Sequence, residues 1–128
     1  MMHGPAQLLF RLGQLPTLPA AWQCDLEGDR LTWSRGVFDL FGLPHNRPPL
    51  RAETAAMYLP KSRALLEELR AEAIARAGSF TFEAQIRRQD GALRWIRVCA
   101  DTVSRGGRTV QLYGTKQDIT AEMEHMLP

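Results

Sequence analysis

The chain has 128 residues, 45% hydrophobic and 23% charged, which suits one globular domain with a full core and leaves no room for two. Its formal net charge is +2, and its arginines are scattered among acids with only Arg87 and Arg88 adjacent, so the basic run of a nucleic-acid binder is missing. No stretch approaches the ~20 apolar residues of a membrane helix, and no basic region precedes an apolar one at the N-terminus. The expectation is a cytoplasmic domain without membrane insertion. Cys24 and Cys99 stand far apart, with no Cys-x-x-Cys spacing and no histidine cluster, which predicts reduced, mostly buried thiols and no metal site.

Residues 5–15 set Leu8, Leu9, Leu12 and Leu15 at helical spacing between Pro5 and Pro16. That predicts an amphipathic flanking helix within 1–17, or a tail ordered only by contact. Trp22, Cys24 and Leu26 then alternate with polar residues, the period of a half-buried strand. Glu27-Gly28-Asp29 is turn chemistry, and Arg30–Ser34 reads as the returning strand of a hairpin. Ser34 is placed to cap a short helix over Arg35–Phe41, which Gly42 and Pro44 end. A second short helix is expected over Ala52–Tyr58.

The strongest helical pattern runs from Ser62, read as its cap, to Ala77, with Leu65, Leu66, Leu69, Ala73 and Ala77 on one face and Gly78 as the stop. From Phe80 to Arg87 apolar and polar residues alternate, then Gln89-Asp90-Gly91 turns the chain. Two more strands are expected over Leu93–Val103 and Arg108–Ile119, joined by Arg105-Gly106-Gly107. Ala121–Leu127 carries Met123, Met126 and Leu127 at helical spacing, the start of a linker helix over 121–128. The sum is an α+β domain with one five-stranded antiparallel sheet.

Read together, Trp22-Gln-Cys-Asp-Leu26, Leu31-Thr-Trp-Ser34 and Phe38-Asp-Leu-Phe-Gly42 resemble the opening of a PAS domain. Phe82 through Gly91, followed by Arg94-Trp-Ile96, resembles its second half, and Gly114 through Thr120 is similar to its closing Asp-Ile-Thr signature. The resemblance covers 18–120. It departs from the family at Leu59-Pro-Lys-Ser62, at Cys24 and at Lys116, which points to unusual pocket chemistry. It implies strand order 2-1-5-4-3, helices over one face, a cavity between them, and a sensory role. A fused histidine kinase or diguanylate cyclase would be the effector.

The resemblance also directs Ile86, Ile96, Val98, Val110, Leu112 and Gly114 towards the helices. Period-2 parity carries Lys116 to the same side. There it either anchors a small anionic ligand or snorkels to water. Phe38, Phe41, Leu66, Leu69, Phe82 and Ile86 line or fill the same cavity, so ligand binding and a self-filled relay both remain open.

Trp95 and Tyr113 fall on the outer sheet face, where Leu8, Leu9 and Leu12 of the flanking helix would cover them and build a homodimer. Asp118 and Thr120 set the chain's exit, Asp118 either pairing with Arg94 or acting as a cap alone. The long helix has no histidine and the chain no Asn-Cys-Arg string, which argues against haem and photoactive flavin and leaves the cofactor unknown. Without a nucleophile–base pair or phosphate loop, the reading is a regulatory domain and not an enzyme.

Overall fold

The structure, a computed structural model, describes residues 17–126; the flanking segment with Leu8, Leu9 and Leu12 lies outside them. Five strands form one antiparallel sheet in the order β2-β1-β5-β4-β3. They are β1 (Ala20–Asp25), β2 (Arg30–Trp33), β3 (Phe80–Arg87), β4 (Leu93–Arg105) and β5 (Arg108–Asp118). Helices α1 (Arg35–Phe41), α2 (Arg51–Ala55) and α3 (Pro60–Arg76) link β2 to β3, and α4 (Thr120–Met126) follows β5. The expected fold and strand order are those observed. One helix is not on the common face: Glu122 of α4 meets Arg97, which pairs across the outer face with Glu83.

The core sits between the sheet and the first three helices. Ala84, Ile86, Ile96, Val37 and Phe41 are fully enclosed, and each large side chain among them contributes about 1.5–3 kcal/mol by leaving water. Trp33 stacks on Phe41 with ring centroids 4.8 Å apart, joining the hairpin to α1.

Two helix starts differ from expectation. Ser34 has the extended backbone of a cap (φ −71°, ψ 164°), yet its hydroxyl makes no capping bond. Helix α3 begins at Pro60, because proline's fixed φ and missing N–H suit the first helical position. Ser62 is thereby freed to accept the Gln85 N–H at 2.9 Å, and Leu59 N–H donates to Gln85 O at 3.0 Å. Strand β3, the edge of the sheet, is covered along that stretch.

The far end of α3 also shifts. Ala77, at φ +52°, takes the left-handed turn expected of Gly78. The inner face runs through Leu66, Leu69, Arg70, Ala73 and Ile74, while Leu65 is 41% exposed and Ala77 is exposed.

Candidate functional site

Strand β5 pairs Lys116 with Ala20 on one side and Val98 on the other. Residues directly opposite share a face, and Val98 is buried under the helices, so Lys116 points inward. Its Nζ donates to Tyr58 Oη at 2.8 Å. The ring centroids of Trp22 and Tyr58 lie 5.3 Å from the ammonium, Phe41 5.4 Å and Trp33 5.9 Å. All four fall within the ~6 Å reach of a cation–π contact.

No carboxylate among the described residues lies within ion-pair distance of that nitrogen. The residue as a whole is half-buried, because part of it reaches a groove beside Leu18 and Ala20, but the ammonium is inside. Burial pulls the Lys116 pKa down to about 7; Cys24 opposes the shift and the Arg51 charge adds to it. Tyr58, 2% exposed, has its phenol pushed up by the same burial and keeps its proton.

Beside this cage lies a cavity of about 50 Å³. Trp22, Cys24, Val98 and Leu112 wall it from the sheet, Thr54, Tyr58 and Leu66 from the helical side. Arg51 and Arg70 also line it, each tied back to an acid: Arg51 to Glu67, and Arg70 to Asp29 of the hairpin turn at 2.7 Å. The indole N–H groups of Trp22 and Trp33 are buried with no acceptor among the described residues, where most buried donors are paired. Cys24 stays a thiol, its pKa raised by burial against the opposing pull of Arg70.

The PAS fold family matches residues 30–116. The chain belongs to the PAS family. PAS domains are sensory modules of signalling proteins, and solved structures agree on the fold. The N-terminal domain of a diguanylate cyclase with PAS/PAC sensor from Marinobacter aquaeolei is 17% identical with a TM-score of 0.75, over 83% of this chain and 99% of that one. A sensory box histidine kinase/response regulator from Burkholderia thailandensis is 17% identical with a TM-score of 0.72, over 95% and 89%. An RNA-binding light-oxygen-voltage receptor is 13% identical with a TM-score of 0.72; the match covers 83% of this chain but 30% of that receptor. No curated protein matches the chain.

Of the residues expected to line this PAS cavity, Leu66, Val98, Leu112 and Lys116 do so. Phe41, Phe82, Ile86 and Ile96 are instead packed into the core, with Leu69 against it. Phe38 lines a separate groove with Leu43 and Pro44. Val110 and Gly114 are half-buried and outside the cavity wall. Gly114 serves the sheet, since a Cβ there would meet Cys99 O at 1.9 Å.

Trp22, Arg51, Thr54, Tyr58 and Arg70 were not expected in the site. Arg70 had a signal, standing four residues after Leu66 on the inner face of α3. A haem or flavin does not fit a cavity of this size, well below the ~300–1,000 Å³ of sites for larger ligands. His45 faces outward to Asp39 at 2.9 Å, and His125 sits on α4. Among the described residues no acidic, cysteine and histidine cluster could hold a metal, and no helix could cross a membrane.

The exit from the PAS sheet is tied twice. Asp118 Oδ1 accepts the Thr120 N–H at 2.9 Å, and Asp118 Oδ2 lies 3.7 Å from Arg94 Nε. The two roles left open for Asp118, pairing and capping, thus coexist. Thr120 does not cap: its hydroxyl accepts the Trp95 N–H at 2.9 Å and fastens α4 to β4. Trp95 is half-buried and Tyr113 43% exposed on the outer face, the latter opposite Asp101.

Proposed function

We propose that this PAS domain senses a small anionic molecule in the Lys116 cavity and passes its occupancy through β5 and α4 to a fused effector. The observation that carries the reading is a buried ammonium with four ring faces, one hydroxyl and, among the described residues, no carboxylate around it. A buried cation without a counter-charge costs several kcal/mol. An entering anion supplies that charge in a medium where attraction is strong. Arg51, Arg70 and the unpaired Trp22 N–H add donors and no competing acceptor. The volume of about 50 Å³ restricts the ligand to the size of formate or acetate. Lys116 stands two residues before Asp118, so a charge change at the cage is felt where the chain turns into α4. Effectors of the histidine kinase or diguanylate cyclase kind are supported by the proteins that carry the similar PAS domains.

Thermal-shift titration tests this. Formate and acetate should raise the unfolding midpoint at neutral pH, with formamide, acetamide and equal chloride as controls, and Lys116→Met should abolish the response. Equal responses to the amides would overturn it. The small volume itself favours a second reading, a relay whose interior is filled by its own side chains. That reading requires no anion to move the midpoint.

A further inference from the structure

We propose that Lys116 is a carbamylation site, its uncharged amine capturing carbon dioxide to make within the cavity the anion that the domain reads. The inference rests on the reading of this cavity as the sensory site and specifies where its anion comes from. Among the described residues Lys116 Nζ has the Tyr58 hydroxyl and ring faces around it and no carboxylate within ion-pair distance to hold the proton on it. Arg51 from α2 opposes its charge, Cys24 from β1, a neutral thiol, slightly favours it, and Arg70 from α3 lines the same cavity; Asp39 of α1, Arg88 and Asp118 line the groove at its stem, neither acid within ion-pair distance. Its pKa of about 7 leaves roughly a thousandfold more free amine at neutral pH than an ordinary lysine has. Lys61, the chain's other lysine, is exposed on α3 and offers an internal control.

Size and wall chemistry agree with this product. The cavity of about 50 Å³ exceeds the ~10–15 Å³ of such space that one water needs and is a third of the ~150 Å³ that admits benzene. A carbamate adds one carbon and two oxygens. Carbon dioxide is uncharged and enters an apolar-walled space without the desolvation that bicarbonate requires. The nitrogen lone pair attacks its carbon, the C–N bond forms, and one C=O π pair moves onto oxygen. The nitrogen then loses a proton to water. Amine and carbon dioxide give carbamate and a proton, with nothing oxidised or reduced. The new oxygens need donors: the wall holds the Tyr58 O–H that keeps its proton and two guanidinium groups, and Trp22 of that wall has a buried N–H with no acceptor among the described residues.

The test equilibrates the whole chain with ¹³C-labelled carbon dioxide and bicarbonate near pH 7.5, traps carbamates with triethyloxonium, and maps the ethylated peptides by mass spectrometry. A saturable adduct at Lys116, at least about tenfold above Lys61, is the expected result, given the difference in free amine. A ¹³C carbamate resonance beyond that of the α-amino group should be present in the unaltered chain and absent from Lys116→Arg. Trp22→Phe, which keeps a ring and removes the N–H, should lower occupancy several-fold. Labelling of Lys116 no stronger than that of Lys61 overturns the proposal without any variant having to fold. If formate and acetate still raise the midpoint in that case, the non-covalent sensing of anions stands and the carbamate alone falls.

Discussion

Arg97 and Lys116 are cations on neighbouring strands of one sheet, yet they live in opposite electrostatic worlds. Arg97 faces outward, and its Nη2 donates to Glu83 and to Glu122 at 3.0 Å each. These bonds raise its already high pKa. Lys116, whose partner Val98 follows Arg97 along β4, faces inward to aromatic rings and has its pKa drawn down to about 7. One cation is held by acids in water and the other by π faces away from it. The paired arginine fastens α4 to the sheet, whereas the unpaired lysine leaves a charge to be completed. Arg97 comes with its counter-charge, and Lys116 has none within ion-pair distance among the described residues.

The sharpest way to break the comparison is Lys116→Met, which removes the charge and keeps most of the stem volume. Below pH 7 the folded chain carries a buried ammonium, so the variant should be more stable, by up to about 5 kcal/mol in urea unfolding. As pH rises from about 7 towards 10.5 the folded lysine sheds its proton while the unfolded one keeps it. The stability of the unaltered chain therefore climbs across that window, and the gap should narrow. A gap that does not change with pH places the ammonium in water.

Tyr58→Phe should cost about 1.5–3 kcal/mol at pH 6, where it deprives a charged donor of its acceptor, and less at pH 9. An equal cost at both pH values would deny that the phenol serves the ammonium. Asp118→Ala removes the acceptor of the Thr120 N–H and the weak pairing with Arg94, for a loss of about 0.5–2 kcal/mol by denaturant midpoint. Arg97→Gln should cost least, about 0.2–1 kcal/mol, because its partners are exposed to solvent. A loss larger than that of Tyr58→Phe would reverse the ranking of the two cations.

Local pattern carried much of this into the sequence. Alternation along β3 and β5 marked the inner faces, and counting by twos from Leu112 brought Lys116 inside before any tertiary contact was known. The quoted PAS motifs gave strand order. Whether the lysine reached water was undecidable from parity, since snorkelling depends on what closes over it. The lid is a long-range assembly: Trp22 from β1, Trp33 from β2, Phe41 from α1 and Tyr58 from the segment after α2 converge on one nitrogen. No periodicity encodes that convergence. The start of α3 was misread because Ser62 offered a capping side chain, while Pro60 already fixed the first turn and Ser62 was needed by Gln85.

The state of the Lys116 nitrogen can be read directly, because the chain has two lysines, Lys61 and Lys116. Labelling lysine at Cε with ¹³C gives two resonances to follow by NMR across pH. Lys61, exposed on α3, serves as the internal reference. Lys116 should titrate with a midpoint of about 7, moving upward when formate is added. A Lys116 resonance that titrates above pH 10 would contradict the caged, uncompensated ammonium on which this account of the domain is built.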